Sequence, residues 1–363
     1  MFFFFFVFGF FFFFVFLGFF FLWVYGFMYI DERSGFGYCF FSNIGIGLLL
    51  YVITAIQMQI KKKLFRNTAI LLALVASAVY FVVDHVLPYS GIKPMRRGPD
   101  QMKWLLPNGP DPAAYGLKAS PLLIQSPDSL KLTALVVASN TDTTKATVVI
   151  LHGISSCKET NFERAKLLAD QGFASLLLDL RAHGSSEGMY CTFGYHEKND
   201  LKAVADSLKR RFPDRPLGIW GASLGGAVAL QAMGTDERYQ FGIIESTFHE
   251  FDKVAMEYGA DWFFGVRSWW LTNRVLQKSA VIAQFDPYSV RPVDAAARIT
   301  DPVLFIHGDK DARIPMWFGE KNYEVCPAPG KRWFKVQGGG HNDLWRKAGP
   351  AMKDQISSFL TGI

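Results

Sequence analysis

Three observations predict an α/β fold with a mostly parallel central sheet and helices on both faces. Short apolar, β-branched runs alternate with helix-like segments from about residue 146 to the C-terminus. One of these runs, Leu217–Trp220, stops at Gly221 and passes through Ser223 straight into the helix-like stretch Ala227–Met233. Polar loops follow the ends of the apolar runs, where parallel sheets bind their ligands.

The elements follow in order. Residues 2–28 are nearly all apolar and mostly phenylalanine, Ile44–Ile60 is a second apolar run and Thr68–Leu87 a third. The third is about the length needed to cross ~30 Å of hydrocarbon. The basic cluster Lys61–Arg66 separates the last two and is expected to stay cytoplasmic, which places everything after Leu87 outside. One span or three satisfy that rule. The phenylalanine-rich stretch 1–57 reads like translated T-rich DNA, so Met58 is expected to be the true start. Residues 58–87 then form a basic n-region and a transmembrane anchor or signal-like segment. Ala76-Ser77-Ala78 offers a cleavage site, but the apolar run continues to Val83 and favours an uncleaved anchor. Residues 88–121, rich in Pro, Gly and Lys/Arg and without a sustained period, read as a linker lifting the domain off the membrane.

The globular domain is expected over 122–363. Pro121–Ser126 and Leu130–Ala138 read as a hairpin, and Ala146–Leu151 as a strand buried on both faces. Helix Glu159–Gln171, strand Phe173–Leu178 and the amphipathic helix Glu197–Arg211 come next. After the Ser223 turn the strands Phe241–Ile244, Val303–Ile306 and Arg332–Val336 follow, and Asp343–Leu360 is read as one closing helix. The stretch 248–284 interrupts the alternation. Trp262, Phe263, Phe264, Trp269 and Trp270 make it a candidate helical cap lining a pocket, or a surface helical pair burying its aromatics.

The net charge of +6 owes much to Lys61–Lys63 and Arg66, and no basic stripe interleaved with aromatics points to nucleic acid. The four cysteines form no C-x-x-C pair, which argues against a zinc ribbon or a disulfide scaffold, although Cys157 and Cys191 could pair outside the cytoplasm. Asp309-x-Asp311 hints at a cation loop, against which stand Arg313 and the missing downstream glutamate. No metal and no cofactor are expected, and oligomeric state is left open.

Gly221-Ala222-Ser223-Leu224-Gly225 is G-x-S-x-G in a strand-to-helix context. The glycines are needed because the backbone at the serine is strained and neighbouring segments pass close, so a Cβ at either would clash. Such a turn exposes the Ser223 hydroxyl and aims the Leu224 N–H at a developing oxyanion. The second donor is expected to be the Ile154 N–H, after His152-Gly153. A serine at neutral pH needs a base oriented by a carboxylate. His341, in Gly339-Gly340-His341 after the last strand, can lay an imidazole over the turn, and Asp311 follows a buried strand directly. Asp309 competes for the acid's role. His152, His183 and His307 are expected to hold loops.

These motifs resemble the α/β-hydrolases, closest to the monoglyceride-lipase, S33-aminopeptidase and membrane-anchored ABHD/Bem46-type branches. The marks are Leu-His-Gly at 151–153, Asp-x-Arg-Ala-His-Gly-x-Ser at 179–186, Gly-x-Ser-x-Gly-Gly at 221–226, His-Gly-x-x-Asp at 307–311 and Gly-Gly-His at 339–341. They span roughly Leu130 to Ile363, and five motifs in order are far more specific than one. The resemblance implies the α/β-hydrolase fold with a small helical cap. It implies Ser223 as nucleophile, His341 as base and Asp311 as acid, the four-residue spacing from His307 favouring Asp311 over Asp309. The expected activity is that of a membrane-anchored serine hydrolase taking a small-molecule acyl ester, thioester or lipid through an acyl-enzyme. An S33-like peptidase would use the same triad with acidic cap residues (Glu245, Glu250, Asp252, Glu257, Asp261) capturing a substrate amine. A non-catalytic binding protein on the same fold is a third alternative, against which stands the complete triad.

Overall fold

The computed structural model describes residues 43–262 and 265–363. The expectations for residues 2–28, Cys39, Phe263 and Phe264 lie outside the described residues. The chain divides into two units, Met1–Leu72 and Ala73–Ile363.

Helix α1 (Asn43–His85) is continuous through the basic cluster that the sequence placed between two apolar runs. Lys and Arg are good helix formers, and no Gly or Pro occurs between Gly47 and Pro88 to break it. Its apolar side chains from Leu50 to Phe81 are largely exposed, and by length and composition it is long and apolar enough to cross a membrane. Burial begins near its end, at Val83 and Asp84, and continues into α2 (Leu87–Ile92).

The stretch expected as a linker is instead packed against the domain. Two 3₁₀ turns, Pro99–Leu105 and Pro112–Tyr115, set Leu106, Tyr115 and Leu117 in one layer of the core, and Ile92 enters the other. Arg96 donates to the carbonyls of His183, Gly184, Ser186 and Gly188, and the Cys191 N–H donates to the Ile92 carbonyl at 2.7 Å. The buried apolar residues here are irregularly spaced, so no period betrays them.

Among the described residues the sheet has eight strands: β1 (Ala119–Gln125), β2 (Lys131–Val137), β3 (Thr147–Leu151), β4 (Ala174–Leu178), β5 (Leu217–Ala222), β6 (Tyr239–Glu245), β7 (Val303–Gly308) and β8 (Arg332–Val336). Their order is β1-β2-β4-β3-β5-β6-β7-β8. The β1–β2 hairpin and its junction with β4 are antiparallel, and every pairing from β4 through to β8 is parallel. Alternate residues feed two apolar layers. Val149, Leu151, Leu176, Ile219 and Phe305 face one, and Val148, Ile150, Leu177, Trp220 and Leu304 the other. That is the period-2 burial of strands covered on both faces.

The helices α3 (Phe162–Asp170), α4 (Glu197–Arg211), α5 (Leu224–Met233), α6 (Phe251–Trp262), α7 (Trp269–Ala283), α8 (Pro292–Ala296) and α9 (Met316–Val325) follow in chain order. The single closing helix expected over 343–360 is two, α10 (Leu344–Ala348) and α11 (Pro350–Thr361). Gly349, at φ +55°, and the following proline, which lacks an N–H, end the first and start the second. Helices α6 and α7 occupy the stretch expected as a cap.

Candidate active site

Strand β5 and helix α5 meet at Ser223, which is held at φ +55°, ψ −118°. Residues other than glycine rarely adopt this conformation, and it persists because the surroundings fix it. The Ser223 N–H donates to the Glu245 carbonyl at 2.8 Å, and the Thr247 hydroxyl donates to the Ser223 carbonyl at 2.8 Å. A Cβ on Gly225 would lie 2.5 Å from the Leu151 carbonyl oxygen, and one on Gly221 would collide with the Gly225 backbone. Only glycine lets helix α5 approach strand β3 this closely.

The hydroxyl so presented meets the loop after β8. His341 Nε2 lies 3.0 Å from Ser223 Oγ, and His341 Nδ1 lies 2.7 Å from Asp311 Oδ2. An ionised carboxylate can only accept, so Nδ1 carries the proton and the Nε2 lone pair faces the serine hydroxyl. Asp311 follows β7, and its other oxygen accepts from the N–H groups of Arg313 and Ile314 at 3.0 and 2.9 Å. Burial alone would raise the Asp311 pKa, but hydrogen bonds from His307 and His341 outweigh it and hold the carboxyl below its ordinary value. Asp309 points elsewhere, accepting the Gly338 N–H at 2.7 Å and so tying the β7 loop to the loop that carries His341. The structure therefore brings Ser223, His341 and Asp311 together and leaves Asp309 out.

Ile154 and Leu224 line the same cavity as Ser223. Among the described residues neither of their N–H groups donates to another protein group. Leu224 opens helix α5, where the first N–H groups lack intrahelical partners and the dipole favours negative charge.

The other histidines sit in loops beside this site. His152 Nδ1–H donates to the Gly153 carbonyl at 2.7 Å and its Nε2 accepts the Leu180 N–H at 3.2 Å, which fixes a neutral ring. His183 Nδ1 meets the Arg181 carbonyl at 2.9 Å, and His307 Nε2 the Ile314 carbonyl at 2.8 Å. Asp179, at the head of the Asp-x-Arg-Ala-His-Gly motif, accepts from the Lys158 N–H (2.7 Å) and ammonium (2.8 Å), the Ser185 N–H (2.9 Å) and the Thr133 hydroxyl (3.0 Å). This motif clamps loops and contributes no side chain to the cavity. Cys157, Cys191 and Cys326 are buried and free, so the suggested 157–191 pairing does not form.

Above Ser223 lies a cavity of about 370 Å³, within the range of small-molecule sites. Phe251, Val254, Ala255 and Tyr258 of α6 and Leu271, Val275 and Leu276 of α7 line it. Trp269 and Trp270, expected to line such a pocket, point outward and are mostly exposed. One wall escaped the sequence reading altogether: Leu87, Ser90, Gly91 and Ile92, at the end of the apolar helix and just beyond. The available signal was Asp84, a carboxylate in an apolar run that requires a cation. It pairs with Arg274 at 2.7 Å and Lys278 at 3.3 Å, both on α7.

A family model described as serine aminopeptidase, S33, matches residues 142–290. The chain is 29% identical over 221 residues to the uncharacterized protein YqkD of Bacillus subtilis, covering 60% of this chain and 72% of that one. It is 26% identical over 243 residues to the lysophosphatidylserine lipase ABHD12 of Xenopus tropicalis, covering 59% of this chain and 57% of that protein. Among solved structures, the Pyrococcus furiosus esterase Pf2001 superposes with a TM-score of 0.58 at 24% identity, over 75% of this chain and 98% of that one. The chain is a member of the α/β-hydrolase superfamily. In this hydrolase the matched 142–290 segment holds Ser223, Ile154, Leu224 and the α6–α7 pair. Asp311 and His341 lie beyond it, in loops that the fold returns to the same sheet edge.

Proposed function

We propose that the protein is a membrane-anchored serine hydrolase that cleaves acyl or lipid esters through an acyl-enzyme. The observation that carries this reading is the chain of contacts Ser223–His341–Asp311, at 3.0 and 2.7 Å, on the floor of a largely apolar cavity. Ser223 Oγ adds to the ester carbonyl while His341 Nε2 takes its proton. The oxyanion draws on the Ile154 and Leu224 N–H groups. Collapse of the adduct leaves the acyl group on Ser223, and the leaving alcohol takes the proton from His341. Water then gives a proton to His341 and attacks the acyl carbon, and the acid departs as Ser223 is reprotonated. Asp311 stays ionised throughout, holding the tautomer and stabilising the imidazolium.

The similarity to an esterase and to lysophosphatidylserine lipases supports the ester reading. The aminopeptidase reading needs carboxylates facing the cavity. Among its described lining residues there are none. Glu245 is bound to Arg164, Trp220 and Trp345, Glu250 faces Arg291, and Glu257 faces Arg267. The side chain of Asp261 is outside the described set. The apolar run of α1 and the basic cluster Lys61–Arg66 favour an anchor with the catalytic unit outside the cytoplasm.

The test is labelling of the full-length chain in detergent with a fluorophosphonate, because a fragment starting at Gly91 would lack the cavity wall supplied by Leu87 and Ser90. Wild type is expected to label. Ser223→Ala is expected to lose the label and to lower ester hydrolysis by about 10⁵-fold or more. A folded wild type that neither labels nor hydrolyses esters would leave the non-catalytic reading standing.

A further inference from the structure

Trp269 and Trp270 open helix α7 and are 63% and 70% exposed, with Val266 exposed just ahead of them. Two adjacent tryptophans left outside a core mark a surface that something covers. The register between α7 and the end of α1 locates it. Arg274 and Lys278 pair with Asp84, and Ser279 Oγ donates to the Pro88 carbonyl at 2.9 Å. Stepping from 274 to 279 on α7 thus matches stepping from 84 to 88 on α1 and α2, and the segments run in the same sense. Trp270, one turn ahead of Arg274, falls beside the turn of α1 that carries the exposed Tyr80 and Phe81. Those two residues belong to the apolar run Thr68–Leu87.

We propose that the tip of the α6–α7 pair (Val266, Trp269, Trp270), together with Tyr80 and Phe81, docks into the interfacial zone of the bilayer that α1 enters. One wall of the cavity then rests against the membrane surface. The inference rests on the membrane-anchored ester-hydrolase reading above. The occupant is a lipid bilayer because the exposed patch is continuous with the apolar helix itself. Its aromatics are also the residue types that settle at headgroup level. Leu87 ends the apolar run, Ser90 and Gly91 follow it directly, and all three line the cavity, so the acyl site lies close to the membrane plane. A lipid chain can therefore reach Ser223 from the leaflet without crossing bulk water.

The experiment places a single cysteine at Trp270→Cys or at Val281→Cys in the full chain, labels it with an environment-sensitive fluorophore and reconstitutes it in phosphatidylcholine vesicles. Val281 is 78% exposed near the other end of the same helix, and the chain without an added cysteine is the blank. Both variants must still react with fluorophosphonate. The probe at 270 is expected to be quenched by brominated lipid and protected from aqueous iodide, with the reverse at 281. A probe at 270 as open to iodide as the one at 281 overturns the proposal. Carbonate extraction separates the two readings. A retained chain with 270 in water loses the docking and keeps the anchor. A released chain with 270 lipid-quenched loses the anchor and keeps the docking. As a second readout, Trp269→Ala with Trp270→Ala is expected to lower hydrolysis of a vesicle-borne long-chain ester several-fold and leave a soluble short-chain ester unchanged. Equal loss on both substrates overturns the proposal.

Discussion

His183 shows how a single side chain ties the site's loops to solution conditions. It is fully buried, with its ring 5.1 Å from that of His152 and its Nε2 without a partner among the described residues. Burial, then the neighbouring His152, pushes its pKa from 6.5 down to about 3, and burial lowers that of His152 too. Both rings are neutral in the native state. Below about pH 6.5 the unfolded chain binds a proton at this position and the native chain does not, so stability falls with pH across the interval from 6.5 to about 3. Asp179 acts in the same direction lower down. Burial raises its pKa, but the Lys158 ammonium and the hydrogen bonds from Lys158 and the Ser185 N–H outweigh that and leave it depressed, so its contribution is present above 3.8 and fades as pH falls below. His183→Asn keeps a donor for the Arg181 carbonyl and removes the titration. Thermal unfolding followed from pH 6.5 to 4.5 is expected to show a flatter dependence than wild type, whatever the change in Tm at neutral pH. An unchanged slope would place the pH sensitivity elsewhere.

At the scale of elements, the contiguous motifs were legible and the assembled walls were not. Gly221, Ser223 and Gly225 impose their geometry on one another within five residues, and the strands β3 to β8 announce themselves by apolar runs between polar loops. Asp311 and His341 could be placed because each follows a recognisable strand. The cavity wall at Leu87–Ile92 meets α7 roughly 190 residues later, and no local pattern records a pairing such as Asp84 with Arg274. The outward turn of Trp269 and Trp270 was hidden for a related reason: composition gives the size of a side chain and not the face it occupies. The break at Gly349-Pro350 was local and readable, yet the apolar positions on either side suggested one helix. The Asp84 contacts also yield an expectation for the α6–α7 pair. Asp84 is the shared partner of Arg274 and Lys278, and Ser279 adds the bond to Pro88. Asp84→Asn is expected to speed amide exchange across 269–283 while leaving β5 and α5 protected, and to raise KM for a long-chain ester more than it lowers kcat. Unaltered exchange in α7 would mean that apolar packing alone holds that helix.

For the whole molecule, the boundary between compact units falls inside a helix. The second unit begins at Ala73, twelve residues before α1 ends, and takes in Val83, Leu87 and Ile92 as buried side chains. The end of the apolar helix is thus part of the hydrolase unit, and the substrate cavity is incomplete without it. Two truncations distinguish this arrangement from a simple tether. A chain starting at Ala73 keeps Asp84, Leu87 and Ser90, and is expected to hydrolyse long- and short-chain esters in the full-length ratio when assayed in detergent. A chain starting at Gly91 loses all three and keeps Ser223, Asp311 and His341. Its long-chain to short-chain ratio of kcat/KM is expected to fall by about tenfold, the equivalent of roughly 1.4 kcal/mol of lost contact with the chain. Short esters are expected to reach only the floor of the cavity, and so serve as the internal control for folding. If both truncated chains keep the full-length ratio, the segment before Gly91 is a tether alone. A drop confined to the Gly91 chain assigns chain-length selection to residues that the sequence presents as the end of a membrane anchor.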